Sequence, residues 1–322
     1  MKILKILGAL VVVMVLLGVG GFAWARGKAD ATLSRSVEIH RVDFPVPFPL
    51  DPAEVEREGF TPEQADSAAL ARAVERGRHL VASRFTCTEC HGQDFGGSIM
   101  IDDPMIGTFF GPNITAGPGG RTADYTPADW DRIVRHGVRP DGTPAVMPAQ
   151  DFQGMSDQEL SDIVALIGFA PTRDAEMPQP RLGPLGTVLL ATGQIPLAYD
   201  LIPDHGRVHT EVPPATDASA EFGSHLATVC TGCHGADLSG GKVPGGDPSW
   251  PAAANLTPRA GGLGDWSYEQ FVTSMTEGTR PDGRALATPM SAVIGFTSKM
   301  TETEIQALWA YLRSVPAKAT EG

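Results

Sequence analysis

Hydrophobic positions are spaced in three different ways along this chain, and each spacing predicts a different kind of element. At the start, Lys2 and Lys5 precede an uncharged run from Ile6 to Ala25, which Arg26 and Lys28 close. Twenty helical residues span about 30 Å, the hydrocarbon thickness of a bilayer, so residues 1–28 are expected to form a membrane anchor. A signal peptide usually has only about 7–15 apolar residues, although Ala23-Trp24-Ala25 has the small-x-small form of a cleavage site. Trp24 stands where an interfacial aromatic belongs. Under either reading the remainder of the chain is exported. Residues 29–72 sustain no apolar period and carry Pro45, Pro47, Pro49, Pro52 and Pro62. They read as a linker that wraps or spaces, with no chemistry of its own.

Beyond residue 72 the apolar positions take a period of 3.6 and predict short helices. One precedes Cys87, marked by Gly77-Arg78-His79-Leu80. A second starts after the N-cap Thr126, with Asp129 three residues later, and stops at Gly137. A third starts at Ser156 with Glu159 completing a capping box, and Leu160, Ile163, Val164 and Ile167 form its stripe. The same series then recurs. Gly223-Ser224-His225-Leu226 precedes Cys230; Ser267, Gln270 and Gly278 delimit the next helix; Thr301 and Glu304 open the last, with Ile305, Leu308, Trp309 and Leu312 as its stripe. No segment reads convincingly as a strand.

The two series are an internal repeat. Cys87 maps to Cys230 at an offset of 143, Asn113-Ile114-Thr115 to Asn255-Leu256-Thr257 at 142, and Arg139-Pro140-Asp141-Gly142 to Arg280-Pro281-Asp282-Gly283 at 141. Small loop insertions in a duplicated domain produce this drift. The expected order is therefore anchor 1–28, linker 29–72, first domain 73–172, interdomain segment 173–217, second domain 218–316 and tail 317–322. Within the interdomain segment, Leu182 to Tyr199 is uncharged but is broken by Gly183, Pro184, Gly186, Gly193 and Pro196, too often for a membrane span. It is expected to pack on a domain or rest on the membrane surface. Residues 203–220 are polar and read as linker.

Composition sharpens this picture. With 37 Gly and 27 Pro among 322 residues, much of each domain must be loop, and a domain of about a hundred residues so built needs a staple. The net charge of −13 excludes nucleic acid as a partner class and suits a basic or neutral docking partner. All four cysteines lie in Cys87-Thr88-Glu89-Cys90-His91 and Cys230-Thr231-Gly232-Cys233-His234. A Cys-x-x-Cys-His run is the attachment site of a c-type haem: two thiols add to the porphyrin vinyl groups, and the adjacent histidine is placed to ligate iron. A zinc site built from two Cys-x-x-Cys pairs has no need of a histidine directly after each. A thioredoxin-like pair wants a βαβ setting that neither motif has. Two covalently bound haem c groups per chain are expected, and they supply the staple.

With helix, Cys-x-x-Cys-His, Gly111-Pro112-Asn113, methionine next to proline, and a last helix ending Tyr311-Leu312-Arg313, each copy resembles a class I cytochrome c domain. The tandem arrangement is similar to the cytochrome c subunits of membrane-bound alcohol and gluconate dehydrogenases, and to membrane-anchored dihaem cytochromes c. The resemblance implies a mainly α fold of two tandem class I domains after an N-terminal transmembrane helix. It implies His91 and His234 as proximal ligands, with the Pro112 carbonyl orienting the first imidazole. The second copy departs from the pattern, reading Ala253-Ala254-Asn255. It also implies Met147 and Met290, beside Pro148 and Pro289 in loops, as the axial thioethers. The other matched pair, Met155 and Met300, directly precedes the N-caps Ser156 and Thr301 and fits a hydrophobic staple to Leu160 and Ile305. His136 is a rival for the first iron, with Glu277 as its counterpart; His79 and His225 read as surface or packing residues. Arg139 and Arg280 are candidates to pair with haem propionates, the rival being a solvated turn residue, and Pro112, Asn113 and Asn255 are candidates for the surroundings of the haems.

The function implied is a periplasmic, membrane-tethered carrier, without catalytic residues, that relays single electrons between a dehydrogenase or quinol-oxidising complex and a terminal acceptor. Its partners would be redox proteins, as donor and acceptor, within or beside a multi-subunit membrane complex. The alternatives are a dihaem enzyme of the peroxidase or thiosulfate dehydrogenase type, or a subunit whose haems only wire a larger respiratory or photosynthetic complex.

Overall fold

A computed structural model describes every residue except Met1, Arg41, Gln179, Gly245, Glu321 and Gly322. Met1 of the anchor and the outer end of the 317–322 tail therefore lie outside the described residues. Helix α1 runs from Lys2–Ser34, six residues past the expected end of the anchor, with a mean hydropathy of 2.6 over its apolar window and that window wholly exposed. It is long and apolar enough to cross a membrane. Its final turns leave solvent: Ala25 and Ala29 are buried.

The segment expected to be a linker is largely structured. Asp51 caps α2 (Pro52–Glu58), and a Thr61–Gln64 capping box opens α3 (Pro62–Ser83), so the first domain's leading helix begins well before residue 73. Phe44 and Phe48 enter the first domain's core, and the Ser161 hydroxyl donates to the Pro45 carbonyl at 2.7 Å. The prolines thus shape an extended wrap anchored by Phe44 and Phe48, four residues apart, so that of the two readings of this linker, wrapping or spacing, the wrap fits the packing.

In the first domain, α3 is followed by α4 (Cys87–His91), a hairpin of β1 (Ser98–Asp103) and β2 (Gly107–Gly111), α5 (Pro127–His136), a 3-10 turn at Ala149–Asp151 and α6 (Asp157–Phe169). The hairpin and β3 (Arg181–Leu182) form an antiparallel sheet in the order β1-β2-β3, with Ser98 opposite Gly111 and Gly107 opposite Leu182. These strands correct the expectation that no segment is a strand; the fold remains mainly helical, as expected. The second domain contains α9 (Ala220–Leu226), a 3-10 turn at Ala227–Cys230, α10 (Thr231–His234), α11 (Tyr268–Glu277), α12 (Met290–Thr297) and α13 (Glu302–Ser314). Between the domains, α7 (Pro184–Ala191) packs on the end of α1, joining Ala29, Leu33, Leu182, Leu190 and Leu197 in one apolar cluster, and α8 (Ala198–Leu201) follows. The interdomain apolar stretch therefore covers the base of the long helix.

Each domain is held by its first and last helices, α3 against α6 and α9 against α13. Glycine permits the crossing. A Cβ on Gly77 would lie 2.2 Å from the Asp162 carbonyl oxygen, and one on Gly223 would lie 1.9 Å from that of Ala307. The staple methionines pack as the cap geometry requires. Met155 is 1% exposed beside the fully buried Leu160, and Met300 packs on the core that contains Ile305.

Candidate functional site

The two Cys-x-x-Cys-His runs fold alike. In the first, one short helix carries Cys87, Cys90 and His91, ended by Gly92 at φ 77; in the second, a 3-10 turn leads into α10 and Gly235 at φ 80 ends it. None of the four thiols is in a disulfide. Burial pushes the Cys87 thiol up to about 12 and the Cys230 thiol up to about 11, so both are neutral S–H groups packed at the edge of a core.

The histidines are oriented by backbone. His91 Nδ1 donates to the Pro112 carbonyl at 2.8 Å, and His234 Nδ1 donates to the Ala254 carbonyl at 2.7 Å. In both rings Nε2 then carries the lone pair, the form in which imidazole binds a metal. Desolvation lowers both pKa values, and each carbonyl partly opposes it. The donor set fits haem c in each domain: paired thiols one helical turn apart, with a fixed neutral imidazole directly after them.

The remaining sequence candidates fall in different places. Met147 packs against the first core, whereas Met290 is the first residue of α12 rather than a loop residue. Asn113 and Asn255 are committed to backbone. Asn113 Oδ1 accepts from the Thr115 N–H and hydroxyl, and its amide donates to the Arg173 carbonyl at 3.0 Å. Asn255 repeats this with Thr257 and with the Lys318 carbonyl at 2.9 Å. Each asparagine therefore clasps the segment after its domain's last helix. Arg139 donates to the Pro144 carbonyl at 2.6 Å within its own turn, and Arg280 lies 4.0 Å from Asp282.

His136 is turned into a group of other histidines: its Nδ1 is 3.0 Å from His205 Nδ1, and the rings of His40 and His209 stand beside it. His79 and His225 have roles that sequence alone did not suggest. They occupy matching positions in the repeat, as do Glu159 and Glu304, and they pair crosswise between domains. His79 of the first domain meets Glu304 of the second at 2.9 Å, and His225 of the second meets Glu159 of the first at 2.9 Å. The domains thus pack about a pseudo-twofold, each offering the same histidine to the other's capping-box glutamate.

Comparison with known proteins agrees with this duplicated geometry. Residues 220–316 match the cytochrome c family, and residues 72–167 match cytochrome c oxidase, cbb3-type, subunit III. The chain is a multidomain cytochrome c. Among relatives of this cytochrome, the alcohol dehydrogenase (quinone) cytochrome c subunit of Komagataeibacter europaeus is 30% identical over 289 residues, covering 80% of this chain and 58% of that one. The gluconate 2-dehydrogenase cytochrome c subunit of Pantoea cypripedii is 26% identical, covering 79% of this chain and 62% of that one. A diheme cytochrome c-type protein of Cereibacter sphaeroides is 27% identical over 260 residues, 72% of this chain and 82% of that one. This cytochrome therefore spans somewhat over half the length of the dehydrogenase subunits it resembles.

Proposed function

We propose that this cytochrome is a membrane-tethered electron carrier, with one haem c in each domain, that accepts single electrons from a dehydrogenase and passes them to an acceptor on the periplasmic side. The observation that carries the reading is the matched pair of oriented imidazoles, His91 on the Pro112 carbonyl and His234 on the Ala254 carbonyl, each directly after two unpaired thiols. A bound haem c supplies a reversible one-electron couple. The protein's own part is to hold that couple still. Cys87 and Cys90, or Cys230 and Cys233, fix the ring through thioethers, and the carbonyl behind each histidine keeps its Nε2 aimed and its donor strength constant. Met147 and Met290 are proposed as the sixth ligands; thioether with imidazole favours the reduced state relative to two imidazoles and closes the coordination sphere to substrates.

Attachment to the membrane is assigned to α1, whose apolar run is fully exposed. The donor is proposed to be a dehydrogenase of the kind named for the relatives, engaged as a subunit or a docking partner. A haemochrome assay should report two haems per polypeptide, none of it extractable by acidified organic solvent. Both ferric haems should show the weak near-infrared sulfur-to-iron band, with Met147→Ala and Met290→Ala each removing about half of it and lowering that haem's potential. Met155→Ala and Met300→Ala should leave the band intact. A high-spin ferric haem that reacts with peroxide in the unmodified protein would replace the carrier reading with an enzyme reading.

A further inference from the structure

Three separate stretches of chain bring titratable side chains to one buried point beside α5. His40 comes from the wrap before α2, Asp131 and His136 from α5, and His205 and His209 from the segment after α8. One ligand atom from each of His40, Asp131 and His136 lies within 4.8 Å of the others. Asp131 and His136 are both 0% exposed.

The hydrogen bonds fix which nitrogen is which. His205 Nε2 donates to the Tyr199 carbonyl at 3.0 Å, so His205 Nδ1 is a lone pair. His136 Nδ1 must therefore be the donor across the 3.0 Å contact to His205 Nδ1, which leaves His136 Nε2 as a bare acceptor. That nitrogen stands 3.8 Å from Asp131 Oδ2, and among the described residues neither atom has a hydrogen-bond partner. Two buried acceptors facing each other repel, and burial leaves each without the water that would otherwise satisfy it. Among the described residues His209 Nε2 is a third buried polar atom without a hydrogen-bond partner, on a ring 5.7 Å from that of His136. A cation between His136 Nε2 and Asp131 Oδ2 satisfies both at once, with His40 in place as a further donor.

The structure assigns this cluster as a binding site for one divalent first-row transition ion, ligated by His136 Nε2, Asp131 Oδ2 and His40. Imidazole with a single carboxylate suits zinc, which takes N and O donors in tetrahedral sets, and is too poor in oxygen for calcium or magnesium. The supporting shell is already in place. The His205–Tyr199 chain fixes the His136 tautomer, and Arg135 Nε donates to Asp131 Oδ1 at 2.7 Å, turning Oδ2 toward the site. Arg135 does not leave the point cationic, because Asp157 also lies 2.7 Å from its guanidinium. The bound ion would tie the wrap, the first domain and the interdomain segment together.

The test uses the full chain, with both haems, in detergent. After dialysis against a chelator, elemental analysis and calorimetric titration with zinc sulfate should show one zinc per two haem irons and a zinc-dependent rise in melting temperature. His136→Ala and His40→Ala should each weaken zinc binding by roughly 100-fold or more, since loss of a mere supporting group already costs about 10–100-fold. His40 is exposed and outside any helix, so its variant keeps the test decisive if His136→Ala fails to fold. His79→Ala, at the interdomain pair, should bind zinc as the parent does. No zinc uptake by the chelated parent would overturn the site and leave water to bridge His136 and Asp131. Uptake that both cluster variants retain would place the metal elsewhere and overturn it equally.

Discussion

The two cytochrome c domains are copies, yet the two contacts they exchange differ in strength. At one, Glu159 receives His225 and also Arg84, whose guanidinium lies 2.5 Å from the carboxylate and 2.9 Å from the His225 carbonyl; the side chains of Arg84, Glu159 and His225 are 2%, 5% and 8% exposed. At the other, Glu304 receives His79 alone, and the His79 side chain is 37% exposed. Between the matched Leu80 and Leu226 and the Cys-x-x-Cys-His runs, the second copy has three residues, Ala227 to Val229, where the first has six, and none of the three is an arginine. One arginine therefore converts half of a symmetric interface into a buried three-membered latch, while its mirror image remains a hinge-like surface contact. Duplication sets the geometry of an interface, and single substitutions afterwards decide which side holds.

Making the first copy like the second at this point is the most damaging change expected. Arg84→Ala should cost about 3–5 kcal/mol, because it leaves Glu159 and His225 buried without their cation. Denaturant melts should show the loss, and an equally large loss in His79→Ala would contradict the asymmetry. The helix crossings come next and should be nearly equal in the two domains. Gly77→Ala and Gly223→Ala each force a Cβ into a backbone carbonyl and should cost about 1–3 kcal/mol, read as a lowered melting temperature in the affected domain.

The exposed contact should matter less and should depend on pH in its own direction. His79→Ala is expected to cost at most about 1 kcal/mol. The Glu304 hydrogen bond raises the His79 pKa above 6.5 despite desolvation, so this contact contributes fully below pH 6.5 and fades as pH rises through the raised value. The latch behaves oppositely. Burial alone would raise Glu159, but Arg84, His225 and the Ser156 backbone together hold it at about 2, so its contribution is present above pH 4.5 and is lost as pH falls toward 2. Double-mutant coupling of each pair, followed across pH, separates the two. The smallest effect is expected at Pro112→Ala. The second copy already orients His234 from an alanine carbonyl, so the first haem's potential should barely move, and stability should change by under about 1 kcal/mol, the loop's lost stiffness.

The duplication, the capping boxes and the staple methionines were legible because each is local: Thr126 with Asp129, Ser156 with Glu159, and Met155 before its cap all act within a few residues. The strands were not. β1 is exposed along nearly its whole length and so shows no alternation, β2 is bounded by glycines, and β3 is two residues long. The wrap was missed because Phe44 and Phe48 are buried by a partner surface and not by a period of their own. Histidine roles were hidden by distance. Of the eight in the chain, His91 and His234 announce themselves by motif. His79 and His225 acquire their roles across a domain boundary, and His40, His136, His205 and His209 meet from three segments. The i, i+4 spacing of His205 and His209 was the one local hint of the last group.

With α1 as the proposed membrane attachment, the packing of α7 on its end bears on how far the two Cys-x-x-Cys-His runs stand from the bilayer. A helix of 33 residues is about 50 Å long, and a bilayer core takes up about 30 Å of it. The remaining turns, with Ala29 and Leu33 clamped to Leu190 and Leu197, form a short rigid mast. A carrier on a limp tether samples a hemisphere of orientations and meets its partners by random tumbling. One on a mast is held at a fixed height, so that its search for a membrane-bound donor reduces to sliding and spinning in a plane, and only partners of matching height can exchange electrons with it.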